Sequence, residues 1–173
     1  MSISQVTSGI RLSTVDKCAI AVRQILAGSD KLMAWTEGRI KRAVILALPR
    51  AIGTPSIIVS TLAPRRVESI GCAEVGALIV VTTVWEEPMA FLEDDMGSGE
   101  TALVEIERQI MGNSLLKVPQ FGEDRLVERF VEFRPQGNAT FFEKGNSVVI
   151  FQSIVCEWEV SLNRITRERE GHS

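Results

Sequence analysis

Between Val148 and Leu162 every second residue is apolar: Val148, Ile150, Ile154, Cys156, Trp158, Val160 and Leu162, with Gln152 the one interruption. A period of two is the repeat of a β-strand, whose successive side chains point to opposite faces. Ser153, Glu157, Glu159 and Ser161 fall in the other register, with Val149, Phe151 and Val155 as exceptions. This predicts a long antiparallel strand, apolar on one side and solvated towards its end on the other. Exposed edges of a strand of that length are templates for aggregation, so they have to be covered.

Three other runs read as strands. Glu74 to Trp85 is rich in Val, Ile and Thr and bounded by Gly71 and Pro88, which predicts a second long strand. Pro55 opens a strand from Ser56 to Thr61, closed by Pro64, and Leu126 to Arg134 alternates imperfectly. Helical spacing is found twice. Val15, Cys18, Val22, Ile25 and Leu26 share one helical face, with Ser13 or Thr14 as the cap, Asp16 in the first turn and Gly28 as the stop. Ala102, Leu103, Ile106, Ile110 and Met111 form the inner face of a helix from Gly99 to Gly112, capped by Ser98. A short helix from Asp30 to Trp35 follows the first one. Residues 37–50 read as a short strand or a turn of helix ending at Pro49, residues 86–99 as a loop, and Asn138 to Asn146 as turn chemistry around Phe141 and Phe142.

The order helix, strands, helix, strands is an α+β plan: an antiparallel or mixed sheet with two or three helices packed on one face. At 173 residues the chain suits one domain with a real core. We expect a flexible N-terminal arm over 1–12, a single α+β domain over 13–162 and a charged C-terminal tail over 163–173. The net charge of −3 does not supply the overall field of a nucleic-acid binder. No apolar run approaches the ~18 residues that a bilayer span needs, and the first residues lack the pattern of a signal peptide.

Residue types that carry chemistry are scarce. The one histidine, His172, lies in the charged tail, and there is no tyrosine. A Ser–His or Cys–His catalytic pair therefore has no well-placed base. Cys18, Cys72 and Cys156 are far apart and show no C-x-x-C spacing, so free thiols are expected rather than a disulfide framework or a zinc site. Glu93, Asp94 and Asp95, with Glu86, Glu87 and Glu100 nearby, lack the alternation of an EF-hand loop and read as a solvated acidic loop. Gly97-Ser98-Gly99 precedes a helix, but no lysine follows at P-loop spacing and the surrounding acids would repel phosphate. Glu157 and Glu159, about 7 Å apart on one strand face, read as the solvent side of an amphipathic sheet. No catalytic residue, cofactor or metal site is expected, and the chain reads as a non-enzyme.

Charge is distributed unevenly. Between Glu37 and Arg66 there are six bases, Arg39, Lys41, Arg42, Arg50, Arg65 and Arg66, against one acid. Between Glu86 and Glu100 there are six acids and no base, and the same stretch holds Pro88, Met89, Phe91, Leu92 and Met96. Two readings stand. Both stretches are ordinary solvated loops, or the basic stretch of one subunit meets the acidic, apolar loop of the next in a head-to-tail contact. The second reading makes Arg39, Lys41, Arg42, Arg65 and Arg66 one half of an interface, and Phe91, Leu92, Glu93, Asp94 and Asp95 the other.

A sequence of elements also carries a resemblance. A first helix leads to Gly38-Arg39-Ile40, then to the proline-led strand Pro55-Ser56-Ile57-Ile58-Val59. A long strand over 74–85, a helix over 99–112 and a last strand ending Cys156-Glu157-Trp158-Glu159-Val160 follow. Over about residues 14–162 this layout resembles the tail terminator, or tail-completion, proteins of the neck of long-tailed bacteriophages. The resemblance rests on element order and hydropathy and carries over no catalytic residue. It implies an α+β fold and a homohexameric ring that caps the tail tube, stops its growth and joins a head-side connector, with DNA passing through the ring. It also implies a virion protein assembled in the bacterial host cytoplasm, with no membrane partner and no sequence-specific nucleic-acid contact. The segment over 113–146 is longer than that layout calls for. A head-completion or connector protein of the same neck, a cytoplasmic small-molecule-binding α+β domain, and an adaptor binding one partner through residues 86–99 are the competing readings.

Overall fold

The computed structural model describes residues 13–43, 53–62, 65–69, 72–89, 98–119, 125–135 and 139–161. Three helices run over Thr14–Ala27 (α1), Asp30–Thr36 (α2) and Ser98–Gly112 (α3). Seven strands run over Ile40–Arg42 (β1), Ser56–Thr61 (β2), Arg65–Ser69 (β3), Cys72–Pro88 (β4), Arg129–Pro135 (β5), Thr140–Lys144 (β6) and Ser147–Ser161 (β7).

α1 starts where its cap predicts. The Ser13 hydroxyl accepts from the Asp16 N–H at 3.1 Å and donates to the Asp16 carboxylate at 2.8 Å, which satisfies one of the helix's orphan donors. Gly28 closes the helix, its N–H donating to the carbonyls of Gln24 and Ile25. Ser29 then caps α2, which ends at Glu37 and Gly38, both at positive φ (50° and 79°).

β4 and β7 are the spine of the sheet, paired antiparallel from Glu74↔Ser161 to Pro88↔Ser147. Each long strand has two short strands set end to end along its other edge. β2 lies against Ile79–Val84 of β4, and β3 against Cys72–Gly76. β6 lies against Ser147–Phe151 of β7, and β5 against Ile154–Glu159. β1 pairs with β2 in parallel, so the sheet is mixed and runs β1-β2-β4-β7-β5.

The alternation in the last strand is borne out: Val148, Ile150, Ile154, Cys156, Trp158 and Val160 are all buried. Ile154, Cys156, Trp158 and Val160 join one core cluster with Ala77, Ile79 and Val81 of β4, Ile57 and Val59 of β2, Cys18, Val22 and Leu26 of α1, and Ala102, Ile106 and Ile110 of α3. The other register is not the solvated face expected. Glu157 is only 6% exposed, and Val149 and Val155 are buried as well. Ile58, Val84 and Val149 form a second cluster with Phe142 and Phe151 packed against it, so both faces of the spine carry apolar side chains out of water.

Three further expectations are corrected. Within the stretch Asn138 to Asn146 read as turn chemistry, Thr140–Lys144 is a strand and Gly145, at φ 61°, makes the hairpin into β7, while Asn138 lies outside the described residues. β4 runs on to Pro88, so Glu86 and Glu87 belong to it rather than to a loop. Met111 is exposed, one position past the inward stripe of α3. Residues 44–52 and 90–97, and with them most of the expected element ending at Pro49 and of the expected loop over 86–99, lie outside the described residues, as do both terminal segments.

Gly99, in the first turn of α3, is set against the indole of Trp85. A Cβ at this position would lie 2.3 Å from Trp85 Cε2 and 2.4 Å from Cζ2, both parts of a rigid ring that is itself buried. Gly99→Ala therefore forces α3 or the ring to move. The expected loss is about 1–3 kcal/mol, the usual range for overpacking, read as a lower urea midpoint. Gly112→Ala, with nothing within 4 Å of the added carbon, is the control.

Candidate assembly interface

Three surfaces gather the charged and apolar side chains that an interface would use. The first is the basic stretch. Arg39 is committed inside its own chain: Nε donates to the Pro55 carbonyl at 2.9 Å, Nη2 to the Thr54 carbonyl at 2.9 Å, and Nη1 pairs with Glu37 at 2.9 Å. It fastens the turn after α2 to the start of β2, with Gly53 packed under its Cδ. Lys41 and Arg42 are exposed on β1, a terminal strand of the sheet, and buried Ile40 precedes them. Arg65 and Arg66 lie on β3, opposite Gly76 and Val75. Phe91, Leu92, Glu93, Asp94 and Asp95 fall outside the described residues.

The second surface is the outer edge formed by β5 and β6, which pairs with no strand among the described residues. Phe141 is 64% exposed there and Val131 is 38% exposed. Ion pairs from Arg129 to Glu159 and from Arg134 to Glu157 hold this edge to β7, and Arg134 also pairs with Glu132 of its own strand at 3.0 Å. At the hairpin end, Glu86 accepts from the Ser147 hydroxyl and lies 3.4 Å from both Lys144 Nζ and Thr54 Oγ1. The Ser147 hydrogen bond, with the Lys144 charge beside it, holds the Glu86 carboxyl below its ordinary value.

The third surface was not foreseen. An open groove of about 510 Å³ runs between α2 and α3, with Leu32, Trp35, Ala102 and Val104 as its apolar lining and Lys31, Glu105 and Arg108 at its margin. The Glu105 carboxylate accepts four hydrogen bonds: from Arg108 Nε and Nη2 at 2.9 and 2.7 Å, Gln109 Nε2 at 2.9 Å and the Ser29 hydroxyl at 3.1 Å. The Arg108 guanidinium first, and then Gln109, hold its pKa down to about 2. The one sequence signal was the spacing Glu105, Arg108, Gln109 along a helix. Ser29 and Lys31 come from a helix some seventy residues earlier, which no spacing rule connects.

A folded-state pKa below the unfolded one means that ionised Glu105 stabilises the fold above its ordinary value of 4.5, and that this contribution fades as the pH falls from there towards 2. Wild-type protein should exceed Glu105→Gln in urea midpoint at pH 6, and the gap should narrow steadily below pH 4.5. A gap constant from pH 6 to pH 3 would show that the carboxylate charge is not what the network uses.

Cys18 and Cys156 are buried free thiols. Burial, with the charge of Glu107 second, pushes Cys156 up to about 12, so neither its geometry nor its ionisation suits a nucleophile or a metal ligand. Among the described residues no three His, Cys, Asp or Glu side chains converge as a metal site, and no helix is long and apolar enough to cross a membrane.

No protein-family model matches this chain, and no curated protein does. Among solved structures, the chain is similar to one from a structure described as the virion of a native gene transfer agent (GTA) particle. The two are 16% identical, the match covers 82% of this chain and 93% of that one, and the TM-score is 0.46.

Proposed function

We propose that this chain is a structural virion protein of the tail-terminator kind, whose copies form a hexameric ring that caps a tail tube and joins it to a head-side connector. It takes no cofactor, and the DNA that passes through the ring is not read by sequence. Assembly takes place in the host cytoplasm, before or at the joining of head and tail.

The observation that carries the reading is the outer edge of β5 and β6. An unpaired sheet edge is a template for another chain, and proteins blunt such edges or cover them. This edge carries the exposed Phe141 and Val131, which suits cover by a partner. The other end of the sheet, β1, presents Lys41 and Arg42. A contact between two unlike patches is heterologous, and heterologous contacts generate rings when the rotation closes.

Sedimentation and negative-stain imaging of the purified chain, alone and with isolated tail tubes, test this. The expected result is a six-fold annulus, free or seated on tube ends. A chain that stays monomeric at high concentration and leaves tube ends bare overturns the proposal. Binding to isolated connectors but not to tubes would instead assign the chain to head completion.

A further inference from the structure

The α2–α3 groove has a make-up that a second segment of this sequence complements. Val104 stands on the side of α3 opposite its buried stripe of Ala102, Ile106 and Ile110, and is 67% exposed. A helix that packs one face on a core normally keeps its opposite face polar. Here Val104, Trp35 and Leu32 make an apolar trough instead, large enough for an aromatic and an aliphatic side chain. Its cations are not used up. Arg108 gives Nε and Nη2 to Glu105, which leaves Nη1 without a hydrogen bond among the described residues, and Lys31 makes no ion pair among them. By contrast each of the three guanidinium nitrogens of Arg39, the first base of the stretch that the sequence nominated, donates a hydrogen bond within its own chain.

Phe91-Leu92-Glu93-Asp94-Asp95 sets an aromatic and an aliphatic residue directly before three acids. We propose that the groove is a contact between subunits and that its occupant is this segment of a second copy of the chain. Phe91 and Leu92 enter the trough against Trp35 and Val104, while the acids face Lys31 and Arg108. The inference rests on the ring reading and names the contact that sets the register between neighbours. The charged groups fix orientation and specificity, and the apolar pair excludes water from the contact.

Cysteine cross-linking between two different chains tests it. In a Cys72→Ser background, with Cys18 and Cys156 buried, one chain carries Val104→Cys and the other Phe91→Cys. The two are mixed, oxidised and run on a non-reducing gel beside a mass measurement of the unoxidised mixture. The expected product is a disulfide-linked dimer containing one of each chain. Lys31→Glu in the Val104→Cys chain should cut its yield about tenfold, and Asp94→Lys in the Phe91→Cys chain should restore it. Val104 is exposed, so its replacement leaves the fold intact, which circular dichroism verifies. A ring-sized mass with no mixed disulfide overturns the groove contact and leaves the ring standing. Monomers with no disulfide overturn the groove contact, and the ring falls with it only where the chain also leaves isolated tube ends bare. A third chain carries both substitutions, and a disulfide that forms only within it and never between chains places the segment on its own groove and overturns the contact between copies.

Discussion

Trp158→Ala should lower the unfolding free energy by about 3–5 kcal/mol, the range for truncating a large buried aromatic residue. That is a large part of the roughly 5–15 kcal/mol a domain typically has. Trp158 is fully buried at the middle of the interface between the sheet and the helices, and three things depend on it. Its Nε1 donates to the Ser114 carbonyl at 2.9 Å, which anchors the turn after α3. Its ring meets Phe130 edge to face at 5.4 Å between centroids, and Phe130 in turn lies 4.7 Å from Phe133. The substitution thus opens a cavity, leaves the half-buried Ser114 carbonyl without its donor and removes the aromatic contact between β5 and β7. Trp158→Phe separates these effects. It keeps most of the apolar volume and loses the hydrogen bond, so it should cost about 1–3 kcal/mol. Urea unfolding followed by far-ultraviolet circular dichroism reads both. If the two variants lose the same amount, the carbonyl bond rather than packing dominates.

The elements that were legible in the sequence are those whose own residues carry the signal. α1 shows its cap, its acid and its stop within sixteen residues, and β7 shows its period. β3 and β6 were missed for a shared reason: each is a strand because of its hairpin partner. Arg65–Ser69 is held by β4, and Thr140–Lys144 by β7, with Phe141 left exposed rather than buried. Neither run alternates in a way that marks a buried face. Glu157 was misjudged in the same way. A carboxylate in the polar register of a strand reads as solvated, and only the arrival of Arg134 from a strand 23 residues earlier lets it be buried. The groove between α2 and α3 was invisible because its two sides come together only through the packing of both helices. What the sequence did carry was the composition of both partners in the proposed contact: an acidic segment with two large apolar residues, and basic residues elsewhere. The engagement of Arg39 within its own chain was not legible, because two of its hydrogen bonds run to the backbone carbonyls of Thr54 and Pro55, which have no signature in a sequence.

Arg134→Ala should cost about 2–4 kcal/mol, more than the loss of an exposed charge, because of what it leaves behind. In the register of the sheet Glu132 faces Glu157 directly, and like charges in that position repel. Arg134 lies against both, donating to Glu157 through Nη2, with Nε 3.0 Å from Glu132 as an ion pair. Its own side chain is 40% exposed, whereas that of Glu157 is 8% exposed. Removal of the partner of a buried charge is costly, up to about 3–5 kcal/mol for fully buried pairs; the partial exposure of Arg134 lowers the expectation here. Glu157→Gln removes the repulsion as well as the pair and should cost about 1 kcal/mol. The double substitution should then be more stable than Arg134→Ala alone, an outcome that a simple sum of two losses forbids. Arg134→Lys should fall between, since an ammonium cannot reproduce the fork that spans two carboxylates. Amide exchange gives the structural readout: β5 should exchange faster in Arg134→Ala while the centre of β4 does not change. β5 is also half of the edge proposed to meet a neighbouring subunit, so on that proposal the same variant should assemble poorly, and assembly should return with Glu157→Gln. Normal assembly of Arg134→Ala despite its lost stability would show that β5 takes no part in the ring.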